Sequence, residues 1–373
     1  MAFEPTRLAE AELADPARGS SARLRDLLPW ALLAPSRHNT QPWIFEIEGD
    51  ELRVYADPSR ALPITDPDGR ELLVACGAAL ANLDIAAGHF GWAMSVEVVP
   101  GHRRDGLVAR VRLEERRPSR PDIEELFRAI PRRRTNRLPL DGREPPEGLV
   151  AQLVREARRE GASLRPVEEH QRAFVAELVS EGDRVQWSNP RWRAELSAWT
   201  RSNASGRLDG MPAASHGLSD FAAMLQPLLF RFRNPARAEA ERDRRRARAT
   251  RALLVLSTQR DRKEEWVTAG GALQRVLLRA TAAGLTASYL NQGIEVPELR
   301  AQLRDAIGEA GLPQIMIRLG YGLEAPPTPR RPIEDVLRRF QPRTRPARSL
   351  ALRGRGEVPD RPRGSDFHVP GAG

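Results

Sequence analysis

The chain has 373 residues, 40% of them hydrophobic, enough to bury a large core in one intertwined body or in two domains. Its net charge of +9 rests on 59 Lys plus Arg against 50 Asp plus Glu, but basic and acidic residues interleave along the whole length, so a solvated surface accounts for them better than a nucleic-acid footprint. Cys76 is the single cysteine, which excludes an internal disulfide and a multi-thiolate metal centre, and no His, Asp or Glu cluster has metal-ligand spacing.

The N-terminus, Met-Ala-Phe-Glu-Pro, lacks the basic-then-apolar order of a signal peptide, and no run reaches the roughly 18 uninterrupted apolar residues of a membrane span. A cytoplasmic location, away from membranes, is therefore expected. Residues 1–20 are polar and read as an N-terminal arm. Leu27, Leu28, Trp30, Ala31 and Leu32 recur at roughly helical spacing, and Ile44-Phe45-Glu46-Ile47 alternates, so the stretch between them is a helix-to-strand loop. Alternation around Gly49-Asp50 predicts a hairpin of 43–47 with 52–55. A polar loop over 57–70 leads to a helix over 71–90, stopped by Gly91, whose apolar or small residues nearly all round place it in a core. Within it Cys76 stands among Leu73, Val74, Gly77 and Ala78, as a buried, inert thiol would. Strands over 95–99 and 107–113 complete a first half, 21–118.

The second half, 119–340, begins with a short helix over 123–130, the run Pro131-Arg132-Arg133-Arg134-Thr135-Asn136-Arg137, a helix over 146–160 and a strand within 161–167. Helical pieces over 172–180 and 192–200 follow, then the breakers Asn203-Ala204-Ser205-Gly206 and Gly210-Met211-Pro212 and an apolar stretch over 221–232. This insertion suits a lid, about 203–247, or equally a helical hairpin packed on the core or on another subunit. The run 242–251, basic with Glu241 and Asp243 beside it, predicts an exposed helix. A strand over 253–257, a second central helix over 266–283, a short strand over 287–290 and a last strand over 313–319 end the ordered part. The tail 341–373 is too poor in apolar residues to order itself.

Gly77-Ala78-Ala79-Leu80-Ala81-Asn82-Leu83 and 87–91 align at constant offset with Gly270-Gly271-Ala272-Leu273-Gln274-Arg275-Val276 and 280–284. This weak repeat predicts two similar halves, each giving one central helix to a shared interface. The loop at 34–43 has no full copy in the second half, and Arg133 to Arg137 none in the first, so one complete site per chain is expected.

That loop reads Ala-Pro-Ser-Arg-His-Asn-Thr-Gln-Pro-Trp. Pro35 and Pro42 fix two φ angles, while Ser36, Asn39, Thr40 and Gln41 both donate and accept hydrogen bonds. Such a mixture suits the edge of a flat heterocycle, and it also suits an ordinary capped turn. Together with Gly77 to Leu83, Arg133-Arg134-Thr135-Asn136-Arg137, Leu290-Asn291-Gln292, Gly320-Tyr321-Gly322 and Pro329-Arg330-Arg331-Pro332, in that order, the loop resembles the nitroreductase family over about residues 20–340. The chain looks most similar to the Acg-like branch, in which one chain holds two nitroreductase-like halves. The resemblance implies an α+β fold: a pseudo-dimer around the central helices, with antiparallel sheets flanked by helices, present as a monomer or homodimer.

It also implies FMN as cofactor, one per chain. Arg133, Thr135, Arg137 and Arg331 match positions that hold the phosphate and ribityl chain, with Arg330 and Asn136 beside them. Pro35, Ser36 and Asn39, with Gln41, match contacts to the isoalloxazine, and Leu290, Asn291 and Gln292 line the ring near N5. Arg37 replaces a small residue, and either crowds the pocket or brings positive charge to N1 and C2=O. His38 is a candidate proton donor that solvent could replace, so no residue is assigned as catalytic. The implied activity is hydride transfer from NAD(P)H through the flavin to a small molecule: a nitroaromatic, a quinone or a specialised metabolite. No Gly-x-Gly-x-x-Gly follows a strand, so the nicotinamide would lack a dinucleotide fold of its own. The alternative is an FMN-sequestering protein with a closed lid and little turnover.

Overall fold

The computed structural model describes residues 18–99, 106–202, 205–212 and 234–338. Most of the expected arm, the apolar stretch 221–232 and the expected tail 341–373 lie outside the described residues.

Helix α1 (Ser20–Ala31) buries Leu24, Leu27 and Leu28 and leads through the loop into β1 (Trp43–Glu48). Gly49, at φ +61°, makes the turn to β2 (Glu51–Ala56), as its freedom from a Cβ allows. Helix α2 (Arg70–His89) follows, then β3 (Trp92–Val98) and β4 (Leu107–Arg116). α2 is long and apolar enough to cross a membrane, but 78% of its most apolar window is buried inside the protein, as in a central core helix.

Helices α3 (Pro121–Ala129) and α4 (Leu149–Arg159) lead to β5 (Ser163–Pro166). The insertion is more regular than its sequence suggests. A capping box of Glu168 and Gln171 starts α5 (Glu169–Ser188), which runs a full two turns past the expected end, and Asn189 caps α6 (Pro190–Trp199). β6 (Thr200–Arg201) pairs with β7 (Met211–Pro212). Helix α7 (Ala236–Ala249) corrects the expectation of an exposed helix: Ala240, Asp243 and Ala247 form a buried stripe, and only the other faces carry solvated arginines.

β8 (Ala252–Thr258), α8 (Lys263–Ala282), β9 (Thr286–Tyr289), α9 (Gln292–Glu295), α10 (Pro297–Ala306) and β10 (Leu312–Gly320) complete the second half. One sheet has the order β1-β2-β4-β3 and the other β5-β8-β10-β9, with all these neighbours antiparallel, so the halves share one topology. After α11 (Ile333–Val336), β11 (Leu337–Arg338) pairs in parallel with β1, so the last described strand of the second half extends the first half's sheet. The central helices α2 and α8 cross at their glycines, and a single apolar cluster, with Leu73 and Ala78 on one side and Leu254 and Val276 on the other, spans both halves. Burying each such Leu or Val contributes about 1.5–3 kcal/mol.

Candidate functional site

A cavity of about 640 Å³ opens between the first-half loop, the first turns of α2, the end of β9 and helices α5 to α7. That volume is in the range of small-molecule sites. Pro35, Ser36, Arg37, Thr135, Arg137, Leu290, Asn291 and Gln292 all line it. Asn39, Gln41, Arg133, Asn136, Arg330 and Arg331 do not.

The loop explains part of that division. His38, Asn39 and Gln41 have φ of +50°, +54° and +51°, a left-handed conformation that costs a side-chain-bearing residue energy. Hydrogen bonds hold it there. The Ser36 hydroxyl accepts from the Gln41 N–H at 2.9 Å, and Gln41 Nε2 donates to the Leu208 carbonyl at 2.8 Å while its Oε1 accepts from the Arg331 N–H at 2.8 Å. Asn39 Nδ2 donates to the Gly210 and Pro329 carbonyls at 3.1 Å, and its Oδ1 accepts from Arg330 at 3.0 Å. The amides of Asn39 and Gln41, expected at the ring, are therefore engaged by neighbouring loops outside the cavity lining.

The Arg133 to Arg137 run divides in the same way. Asn136 donates to the Leu323 carbonyl at 2.6 Å and accepts from the Leu138 N–H at 2.9 Å, so it shapes the loop. Arg331 donates to the Gln41 and Asp335 carbonyls at 3.3 and 2.8 Å and fastens the approach to β11. Its neighbour Arg330, by contrast, keeps a buried Nε without a partner. Arg133 is buried with Nε and Nη1 unpartnered, and Nε of Arg134 and of Arg330 are buried without partners too. None of the three forms a salt bridge among the described residues. Burial, and then the charges of Arg133 and Arg134, push Arg330 down to about 9. Burial and then Arg134's charge lower Arg133. Burial also lowers Arg134, with Glu324's charge opposing, so three guanidinium groups sit together with no carboxylate at salt-bridge distance among the described residues. Thr135 and Arg137, just downstream, reach the cavity itself, where burial and then Arg37's charge push Arg137 down to about 10.

Acidic groups outside the sequence motifs, Glu71, Asp183 and Asp243, also line the cavity, and Glu295 is buried beside them. Arg37 contacts Glu295 at 2.6 Å and Glu71 at 3.6 Å, so its charge faces the ionised Glu71 and is not left open. Asn291 donates to Glu71 at 3.1 Å and its Oδ1 accepts from the Met316 N–H at 3.0 Å. Burial raises the Glu295 carboxyl to about 8, with Arg37 opposing and Glu71 adding to the rise. Burial also works against Glu71, but Arg37 and Arg70 hold it below its ordinary value. Gln292 donates to Asp243 at 2.7 Å and to Asp183 at 3.3 Å. Burial and then Asp243 push Asp183 up to about 8. A lone acid in a helical sequence looks like a solvated one, but Gly182 beside Asp183 was a usable signal. A Cβ there would lie 2.5 Å from the Gln292 backbone, so α5 approaches α9 closely at that point. Trp187 and Trp192, ring centroids 5.0 Å apart, make an apolar wall with Leu196 and Met211. Cys76 is buried outside this lining, its thiol pushed up to about 12 by burial and then by Asp57.

No protein-family model matches the chain. It is 34% identical over 321 residues to the Mycobacterium tuberculosis protein named "Putative NAD(P)H nitroreductase Rv3131", covering 84% of this chain and 90% of that one. It is 30% identical over 325 residues to "Putative NAD(P)H nitroreductase acg" of the same organism, covering 84% and 94%. Among solved structures it is similar to a nitroreductase with bound FMN from Desulfitobacterium hafniense, at 12% identity and a TM-score of 0.32 over 58% of this chain and 98% of that one.

Proposed function

The chain belongs to the nitroreductase family, and on that premise we propose that it binds one FMN and reduces a small organic acceptor, a nitroaromatic or a quinone, at the expense of NAD(P)H. The observation that carries this reading is the group of buried, unpartnered nitrogens on Arg133, Arg134 and Arg330. A phosphate monoester brings close to two negative charges and several acceptor oxygens, and each charge-assisted hydrogen bond to it contributes about 1.5–3 kcal/mol. The donor set fits that group, and although these three side chains lie outside the cavity lining, Arg133 and Arg134 directly precede Thr135 on its wall.

Arg133, Arg134 and Arg330 would hold the phosphate, Thr135 and Arg137 the polar chain, and Pro35, Ser36 and Asn291 the ring. When bound, the flavin supplies the hydride chemistry. The chain's own side chains position and shield. Glu71 and Glu295 keep Arg37 fixed against the loop, and the Trp187 and Trp192 wall keeps water from one side of the cavity. Asn291, held by Glu71 and the Met316 N–H, fixes the backbone after β9. Loading the purified chain with FMN and measuring flavin per chain after gel filtration tests the reading. One FMN per chain is expected; a colourless protein would overturn it.

A further inference from the structure

One end of the cavity has no task in that scheme. Asp183 and Gln186 are 3% and 6% exposed and line it, yet Asp183 Oδ2 and Gln186 Oε1 have no hydrogen-bond partner among the described residues. Their other polar atoms are committed. Asp183 Oδ1 accepts from Gln292, and Gln186 Nε2 donates to Glu295 at 2.5 Å. Three residues apart on α5, the two side chains stand on one helical face about 5–6 Å apart at Cβ, a span that a single oxygen can bridge. Trp187 and Trp192 flank them with apolar surface.

We propose that Asp183 and Gln186 form a recognition subsite for a hydroxyl group carried by a flat aromatic electron acceptor, whose ring lies against Trp187 and Trp192. The inference rests on the oxidoreductase reading only for the word acceptor. A hydroxyl both donates and accepts. Gln186 Oε1, with its amide nitrogen held by Glu295, can only accept, so it takes the hydroxyl hydrogen. Burial and the neighbouring Asp243 keep the proton on Asp183 at neutral pH, so its Oδ2 donates to the hydroxyl oxygen. Left empty of a partner, each buried group costs about 1–3 kcal/mol, and an acceptor lacking the hydroxyl leaves both unpaired.

The test compares 4-nitrobenzyl alcohol with its methyl ether, which can accept but cannot donate, by ligand-observed NMR titration of the purified protein, with NADPH-driven reduction followed in the same samples. The alcohol is expected to bind roughly tenfold tighter, as one lost hydrogen bond predicts. Gln186→Met should erase the difference, and Asp183→Asn, which keeps a donor at the same place, should preserve it. Equal dissociation constants in the parent protein, or a preference that survives Gln186→Met, would overturn the subsite. A preference without reduction would leave the subsite standing and remove nitroaromatics of this kind from the proposed acceptors instead.

Discussion

Gly77 of α2 and Gly270 of α8 make reciprocal contacts. A Cβ on Gly77 would overlap the Val267 carbonyl, and a Cβ on Gly270 would overlap the Val74 carbonyl, each three residues before the partner glycine. The two halves thus meet through equivalent positions, and two backbones touch where side chains would force them apart.

Either glycine changed to alanine should therefore open the crossing. Gly77→Ala and Gly270→Ala are each expected to destabilise by about 2–3 kcal/mol in urea unfolding. The double variant should lose less than the two losses added, because one clash already separates the helices. Gly19→Ala, with nothing near its would-be Cβ, should stay within about 0.5 kcal/mol of the parent.

The two adjacent C-terminal arginines should behave differently. Arg330→Ala and Arg133→Ala are expected to weaken FMN binding roughly 10- to 100-fold each, in fluorescence-quench titrations, through lost charge-assisted bonds. Arg331→Ala, which removes bonds to the Gln41 and Asp335 carbonyls, should lower the melting temperature and change the affinity of the folded protein by less than threefold.

Gln41→Ala makes the parallel case in the first-half loop. Its amide ties Leu208 and Arg331, so a loss of about 1–3 kcal/mol of stability is expected, with FMN affinity nearly unchanged. A large affinity loss at unchanged stability would restore Gln41 as a ring contact.

Glu295 and Asp183 give the flavin-free protein a pH signature. Both carboxyls are raised to about 8 in the folded chain, so the folded state holds protons that the unfolded state has released. Their contribution is complete below the ordinary carboxylate range and is lost as pH rises through about 8. The urea midpoint should fall between pH 5 and pH 8.5 more steeply in the parent than in Glu295→Gln, and the double variant Glu295→Gln/Asp183→Asn should be flatter still.

The sequence carried the framework because its signals were local and repeated. Gly49 and Gly91 marked turns by backbone need, and the copied stretches at Gly77 and Gly270 announced a shared interface that the crossing displays. It could not say which way a polar side chain turns. Asn39 and Gln41 have the same donors and acceptors as a ring contact, and only the left-handed backbone of the loop sends them toward residues 208–210 and 329–331. Arg330 and Arg331 differ by a single step along the chain, yet of the two only Arg330 keeps a fully buried nitrogen without a partner. In the sequence Asp243 stands beside a run that reads as an exposed helix, and Asp183 and Glu295 carry no motif, because the burial of each depends on contacts with elements distant in the chain.

The central claim is that the seam between the halves holds a flavin that a reduced nicotinamide can reach. Anaerobic stopped-flow mixing of the FMN-loaded protein with NADH or NADPH measures that directly. The absorbance of oxidised flavin near 450 nm is expected to bleach with at least one of the two, at a rate that rises with nicotinamide concentration, and to return when a quinone is added. Tightly bound flavin that stays oxidised with both reductants would contradict it.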